Sequence, residues 1–258
     1  MGDFDAVAPQ FETHRALPGE VAPLIRDAVW QATSAVAGRL VLEIGAGTGR
    51  IGHAFQAAGD AYVGMDLSRG MLDAFVARER AGGSLASQLV QGDGRALPFA
   101  DDTFDAVLLV QVLSGQREWR EVLGEAQRVL RPGGGLVLGR TVPPADGVDR
   151  RMRAQLTAIL AGLRAPTVPV GARMPEAVAW LAPQARWHTH VIAAAWDQER
   201  SPSAFLARQP SGARFAALPA GVQATALARL EAWACATFGG LDASASERWE
   251  FEIDVFMF

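Results

Sequence analysis

The chain has 258 residues, half of them apolar, and a formal net charge of −4. That is enough apolar material for one sizeable core, and the acidic balance separates the chain from general binders of a phosphate backbone. Its single cysteine, Cys235, excludes an intramolecular disulfide and any cluster of cysteine metal ligands, so no metal is expected.

Residues 1–38 hold Pro9, Pro18 and Pro23, then helical spacing from Leu24 through Ala28, Val29 and Ala32 to Val36. This predicts a helical cap. The amino terminus, Met1 to Asp5, is acidic and lacks the apolar core of a signal peptide, and Ala6 stands where a myristoylation motif wants a hydroxyl. The longest apolar runs, such as Ala106 to Val110, fall short of the roughly 18 residues of a membrane span. The expectation is a soluble, cytoplasmic protein with no membrane partner.

Alternating units follow: strand 40–44, helix 50–58, strand 61–65, helix 69–80, strands 87–91 and 104–110, helix 118–130 and strand 135–141. Such alternation predicts an α/β fold, a doubly wound, Rossmann-like and mostly parallel sheet of about seven strands with helices on both faces. Ligands of such sheets bind outside the carboxyl ends of the strands, where Glu43, Asp66, Asp93 and Gln111 fall.

In residues 148–163 the positions Val148, Met152, Leu156, Ile159, Leu160 and Leu163 form a helical stripe, leaving Arg150, Arg151 and Arg153 as a solvated face. Pro166, Pro169 and Pro175 then interrupt the chain before a short helix from Glu176 to Leu181. A strand is predicted from Trp187 to Trp196, and a clearer one over 248–258, where Trp249, Phe251, Ile253, Val255 and Met257 alternate with charged residues. The roughly fifty residues between them exceed what a tight connection needs, and Leu227, Leu230, Trp233, Ala234 and Phe238 have helical spacing. They read as a helical lid, 197–245, which would leave Trp196 at a strand end above the ligand edge. The chain is thus one domain in three parts: cap 1–38, core 39–142, and substrate-side half 143–258 with the lid.

The stretch Leu40 to Arg50 organises the core. Leu40 to Ile44 reads as a buried strand, and Gly45, Gly47 and Gly49 as a bare turn leading into a helix whose N-terminus attracts anions. Gly47-x-Gly49-x-x-Gly52, with Asp66 downstream, also satisfies the dinucleotide fingerprint, so an NAD(P)-dependent oxidoreductase stays open. Glu43 discriminates: a second negative charge would oppose a pyrophosphate but suits an ammonium group. A ligand with a carboxylate for the helix, an ammonium for Glu43 and a ribose diol for Asp66 is S-adenosylmethionine.

At this point Glu43-Ile44-Gly45-Ala46-Gly47-Thr48-Gly49 resembles the first motif of class I S-adenosylmethionine-dependent methyltransferases, of the small-molecule type 11 kind. Three more stretches fall in that family's order: Val63 to Ser68, Gly92 to Phe99 with Asp102 to Val107, and Val129 to Gly134. The resemblance covers roughly 38–142. It implies that Glu43, Gly45, Ala46, Gly47, Asp66, Leu67, Met71, Asp93, Gly94, Val110 and Gln111 line the cofactor, Asp93 meeting the adenine amino group. It also implies an antiparallel last strand. Family members carry a Tyr-x-x-x-Arg pattern in the cap, which Phe11 to Arg15 matches only with Phe in place of Tyr.

An oxygen acceptor needs a base, and only His14, in the cap, is placed to reach one. His53 is expected to face solvent, while His188 and His190 lie at the opposite edge of their strand. Cys235 is expected to be a small buried thiol. Ala234 precedes it, so a Pro-Cys nucleophile is absent, and without asparagine there is no Asn-Pro-Pro-Tyr site for nucleic-acid amines. The expected partner is therefore a small-molecule methyl acceptor, not nucleic acid; a pocket lined by Trp196, Phe205 and Trp233 would favour an apolar or aromatic one. A non-catalytic cofactor-binding protein is the remaining alternative.

Overall fold

A computed structural model describes residues 16–33, 39–82, 88–166, 171–211 and 213–258. In chain order these form α1 (Val21–Ala32), β1 (Leu40–Ile44), α2 (Gly52–Ala57), β2 (Ala61–Asp66), α3 (Arg69–Ala81), β3 (Gln88–Gln91) and β4 (Phe104–Val110). Then come α4 (Trp119–Arg128), β5 (Leu130–Val142), α5 (Val148–Gly162), α6 (Met174–Leu181), β6 (Trp187–Arg200), α7 (Pro202–Arg208), α8 (Ala213–Ala216), α9 (Ala220–Phe238) and β7 (Ala245–Met257). The Phe11 to Arg15 pattern and His14 lie outside the described residues.

The seven strands make one sheet in the order β3-β2-β1-β4-β5-β7-β6. Strands β1 to β5 are parallel, and β7 runs antiparallel to both β5 and β6. The carboxyl end of β6 therefore points the same way as those of β1 to β5. Strands β1 and β4 are central and buried on both faces, as parallel strands covered by helices must be. Side-chain alternation splits their residues between two cores. Leu42, Ile44, Val107 and Leu109 pack with Val122, Leu123 and Leu181 of α4 and α6. Val41, Ala106 and Leu108 pack with Val29, Phe55 and Phe75 of α1, α2 and α3.

A third core lies off the sheet, where Met152, Leu156 and Ile159 of α5 meet Phe205 of α7 and Leu230 and Ala234 of α9. The predicted stripe of α5 is thus buried, and Arg150, Arg151 and Arg153 are exposed. Cys235 is exposed rather than buried, because α9 turns Ala226, Leu230 and Ala234 inward and the next residue points about 100° away. No helix among the described residues is long and apolar enough to cross a membrane.

Strand β6 differs most from expectation. It runs to Arg200 rather than stopping at Trp196, so Trp196 is not terminal and the connection between the last two strands is 201–244. Pairing of β5 with β7 ends at Val142 opposite Glu250, but β6 and β7 stay paired for five more rungs, out to Arg200 opposite Ala245. They form a two-stranded ribbon beyond the end of β5. A register shift between Ile192 and Ala194 inserts one extra residue into β6. Such a bulge reverses which residues face which side.

Candidate functional site

The turn after β1 is fixed from below. Gly45 and Ala46 donate their N–H groups to the Met65 carbonyl of β2, at 2.7 and 2.9 Å. Gly45 and Gly47 have φ of 77° and 56°, the left-handed region that favours glycine. A side chain at Gly45 would collide with Val112, whereas one at Gly47 would meet nothing within 4 Å. The turn is therefore closed on its protein side and open at Gly47. Helix α2 then begins at Gly52 and is only six residues long.

Asp66 ends β2 beside this opening. Its Oδ2 accepts the Gly47 N–H at 2.8 Å and its Oδ1 the Ser68 N–H at 2.9 Å. A carboxylate oxygen can accept from more than one donor, so these bonds orient the group without using it up. Met71 is buried and Leu67 exposed at the start of α3, where Ser68 caps the helix by accepting the Met71 N–H at 3.2 Å.

Asp93 follows β3 and is gripped by Arg95, whose Nη2 and Nε donate at 2.6 and 3.0 Å. That guanidinium holds the Asp93 carboxyl below its usual range. Gly94 is packed close to Ile44 and Val122. Val110 ends β4, and Gln111 follows with φ 58°, its N–H bound to the Gly139 carbonyl and its side-chain oxygen accepting from Arg50 at 2.9 Å. The order β3-β2-β1-β4 thus sets Asp93, Asp66, the Gly45–Gly47 turn and Gln111 side by side along one edge.

Glu43 is placed differently from the expectation of a carboxylate facing a ligand ammonium. Strand alternation sends it to the same face as Val41, beneath the turn, where it is 2% exposed. Tyr62 donates its hydroxyl to Glu43 at 2.6 Å, and the Gly52 N–H also bonds to the carboxylate. Burial raises the Glu43 carboxyl to about 7, against the opposing effects of Tyr62 and the Arg50 charge. Burial, then the charge of Glu43, raises the Tyr62 phenol. Glu43 is a buried brace between β1, β2 and α2.

His53 is half-buried, not solvent-facing, with Nδ1 2.9 Å from the Gly49 carbonyl. With Arg50 and Arg78 it borders a small cavity of about 30 Å³ against Leu17 to Gly19 and Ala22. His188 stacks on Phe256 and sits 3.0 Å from Asp254, at the beginning of β6. Trp196, Phe205 and Trp233, whose shared pocket would have favoured an apolar acceptor, fall in two places. Trp196 packs under α1 in the second core, while Phe205 and Trp233 belong to the third.

Sequence reading missed Arg50 and Arg95. The two-residue spacing from Asp93 to Arg95 is a signal that could have found the latter, but the Arg50 to Gln111 bridge joins residues 61 positions apart.

The geometry defines a class: a Rossmann-like sheet with a glycine turn, an acid at the end of β2 and a reversed last strand is the class I methyltransferase fold. Residues 42–138 match the family model described as a methyltransferase domain. A demethylmenaquinone methyltransferase of Clavibacter sepedonicus is 36% identical over 162 residues, 62% of this chain and 65% of that protein. An uncharacterized methyltransferase of Mycobacterium marinum is 39% identical over 130 residues, 49% of each chain. The chain therefore spans about half to two thirds of the length of these curated relatives. The crystal structure of the YcgJ protein from Bacillus subtilis shares the fold with a TM-score of 0.60 at 20% identity, over 90% of this chain and 97% of that one.

Proposed function

We propose that the protein transfers a methyl group from S-adenosylmethionine to a small-molecule acceptor. One observation supports this most: four neighbouring strand ends bring an open glycine turn, Asp66, Asp93 and Gln111 to a single edge. The open space at Gly47 and the Asp66 carboxylate oriented beside it fit a ribose next to a backbone cradle. When bound, S-adenosylmethionine supplies an electrophilic methyl group, so the protein has to bind, orient and exclude water.

In this reading Asp66 accepts the ribose hydroxyls and Gly45, Ala46 and Gly47 line the methionine portion. Leu67, Met71, Asp93, Gly94 and Val110 surround the nucleoside, and Gln111 adjoins the methyl-bearing end. Glu43 acts indirectly, by holding the turn. The lid and α5 close the acceptor side, and His14 is the candidate base. The cytoplasm is the proposed location, in keeping with a single exposed cysteine.

Calorimetric titration with S-adenosylmethionine, followed by methyl transfer from labelled cofactor into a metabolite extract, tests the proposal. Stoichiometric binding and a labelled small molecule are expected. Absence of binding would sink it.

A further inference from the structure

The inner face of the β6–β7 ribbon and the adjoining end of β5 carry polar atoms sealed from solvent with nothing to bind. Among the described residues Thr141 Oγ1, Trp196 Nε1, Gln198 Nε2 and Arg200 Nε are buried without a hydrogen-bond partner. Buried polar groups are ordinarily paired, so four in one region point to a ligand that completes them.

They share one face. Thr141 lies opposite Phe251, which lies opposite Ala194, and Trp196, Gln198 and Arg200 follow Ala194 at alternate positions. The bulge at Ala193 puts them there. Were β6 paired regularly, with Ala193 opposite Phe251, all three would turn to the outer face, where Asp197 and Arg248 now pair in solvent. The ribbon projects from the carboxyl edge of the sheet, the edge that carries the proposed cofactor site.

The chemistry of the atoms restricts what they would hold. An indole N–H, an amide NH₂ and a guanidinium N–H can only donate, and the Thr141 hydroxyl can donate as well. The nearby carboxylates are already engaged. Asp149 gives both oxygens to Arg208, at 2.7 and 2.8 Å, and Glu247 accepts from the Val148 N–H and the Trp249 indole. Arg200 stacks on the Trp249 ring, 4.6 Å from its centre. Burial, then the like charge of Arg208, pushes its guanidinium below the ordinary arginine range, outweighing the attraction of Asp149 and Glu247.

Resting on the methyltransferase reading, we propose that Thr141, Trp196, Gln198 and Arg200 form the acceptor subsite and that the methyl acceptor presents an anionic oxygen, a carboxylate or phenolate, to it. Arg200 supplies the charge, and Gln198 and Trp196 orient the oxygen by donating to it. These are binding and positioning residues, distinct from the cofactor cradle.

Thermal melting of the wild type and of Arg200→Met is measured with sodium benzoate, benzylammonium chloride and sodium chloride at equal ionic strength. Benzoate should raise the wild-type Tm by about 2 °C more than chloride does, and benzylammonium should not. Arg200→Met should lose the benzoate increment while binding S-adenosylmethionine with unchanged affinity by calorimetry. Equal benzoate increments in the two proteins, or no increment over chloride in the wild type, would overturn the subsite. Failure of the wild type to bind S-adenosylmethionine would instead refute the methyltransferase reading, so the two failures are distinguishable.

Discussion

The cofactor edge and the β6–β7 ribbon treat polar groups in opposite ways. At the cofactor edge each acid has internal partners: Glu43 has Tyr62, Asp66 has Gly47 and Ser68, and Asp93 has Arg95. On the ribbon and the adjoining end of β5 four buried polar atoms have none. A preorganised cofactor site can be held by the protein alone, whereas a subsite whose donors lack acceptors is completed by what it binds.

The largest effect is expected at the turn. Gly45→Val adds a β-branched side chain at positive φ and collides with Val112, costing about 3 kcal/mol or more. Cofactor affinity should fall at least about a hundredfold by calorimetry. On the other side, Asp149→Ala removes the carboxylate that Arg208 binds, in a pair whose Asp149 side chain is only 3% exposed. The loss of a buried partner costs about 3 kcal/mol, discounted here because Arg208 is partly exposed. Urea denaturation should show the lower midpoint, with cofactor affinity unchanged in the folded protein. If Asp149→Ala weakens cofactor binding as much as Gly45→Val, the two regions are not separate.

Asp66→Ala comes next. Losing charge-assisted bonds of about 1.5–3 kcal/mol each, partly replaced by water, should weaken S-adenosylmethionine binding about tenfold with the fold intact. A pH dependence is expected at Glu43. Its carboxyl lies near 4.5 when unfolded and at about 7 when folded. A raised carboxyl stabilises the fold fully below about 4.5, loses that contribution as pH rises toward 7, and contributes nothing above it. Stability of the ligand-free protein should therefore decline from pH 5 to 8, and Glu43→Gln should flatten the decline. An identical profile in the variant would remove Glu43 as its source.

The mostly parallel sheet and the strand ends of the candidate site were legible because parallel strands announce themselves as apolar runs such as Ala106 to Val110, and because the motifs mark strand ends. The orientation of Glu43 was less so: its position before the glycines suggested a ligand contact, but strand alternation turns it toward Tyr62. The ribbon could not be read from pattern at all. A bulge at Ala193, in place of regular pairing, inverts the facing of Trp196, Gln198 and Arg200, and nothing in Ala193-Ala194-Ala195 distinguishes a bulge from a regular strand. Cys235 was misplaced because one helical step separates a buried from an exposed position.

The most direct measurement is calorimetric titration of S-adenosylmethionine into the wild type, Asp66→Ala and Arg200→Met side by side. The account predicts one site in the wild type, about tenfold weaker binding for Asp66→Ala, and wild-type affinity for Arg200→Met. No binding to the wild type, or equal losses in the two variants, would contradict it.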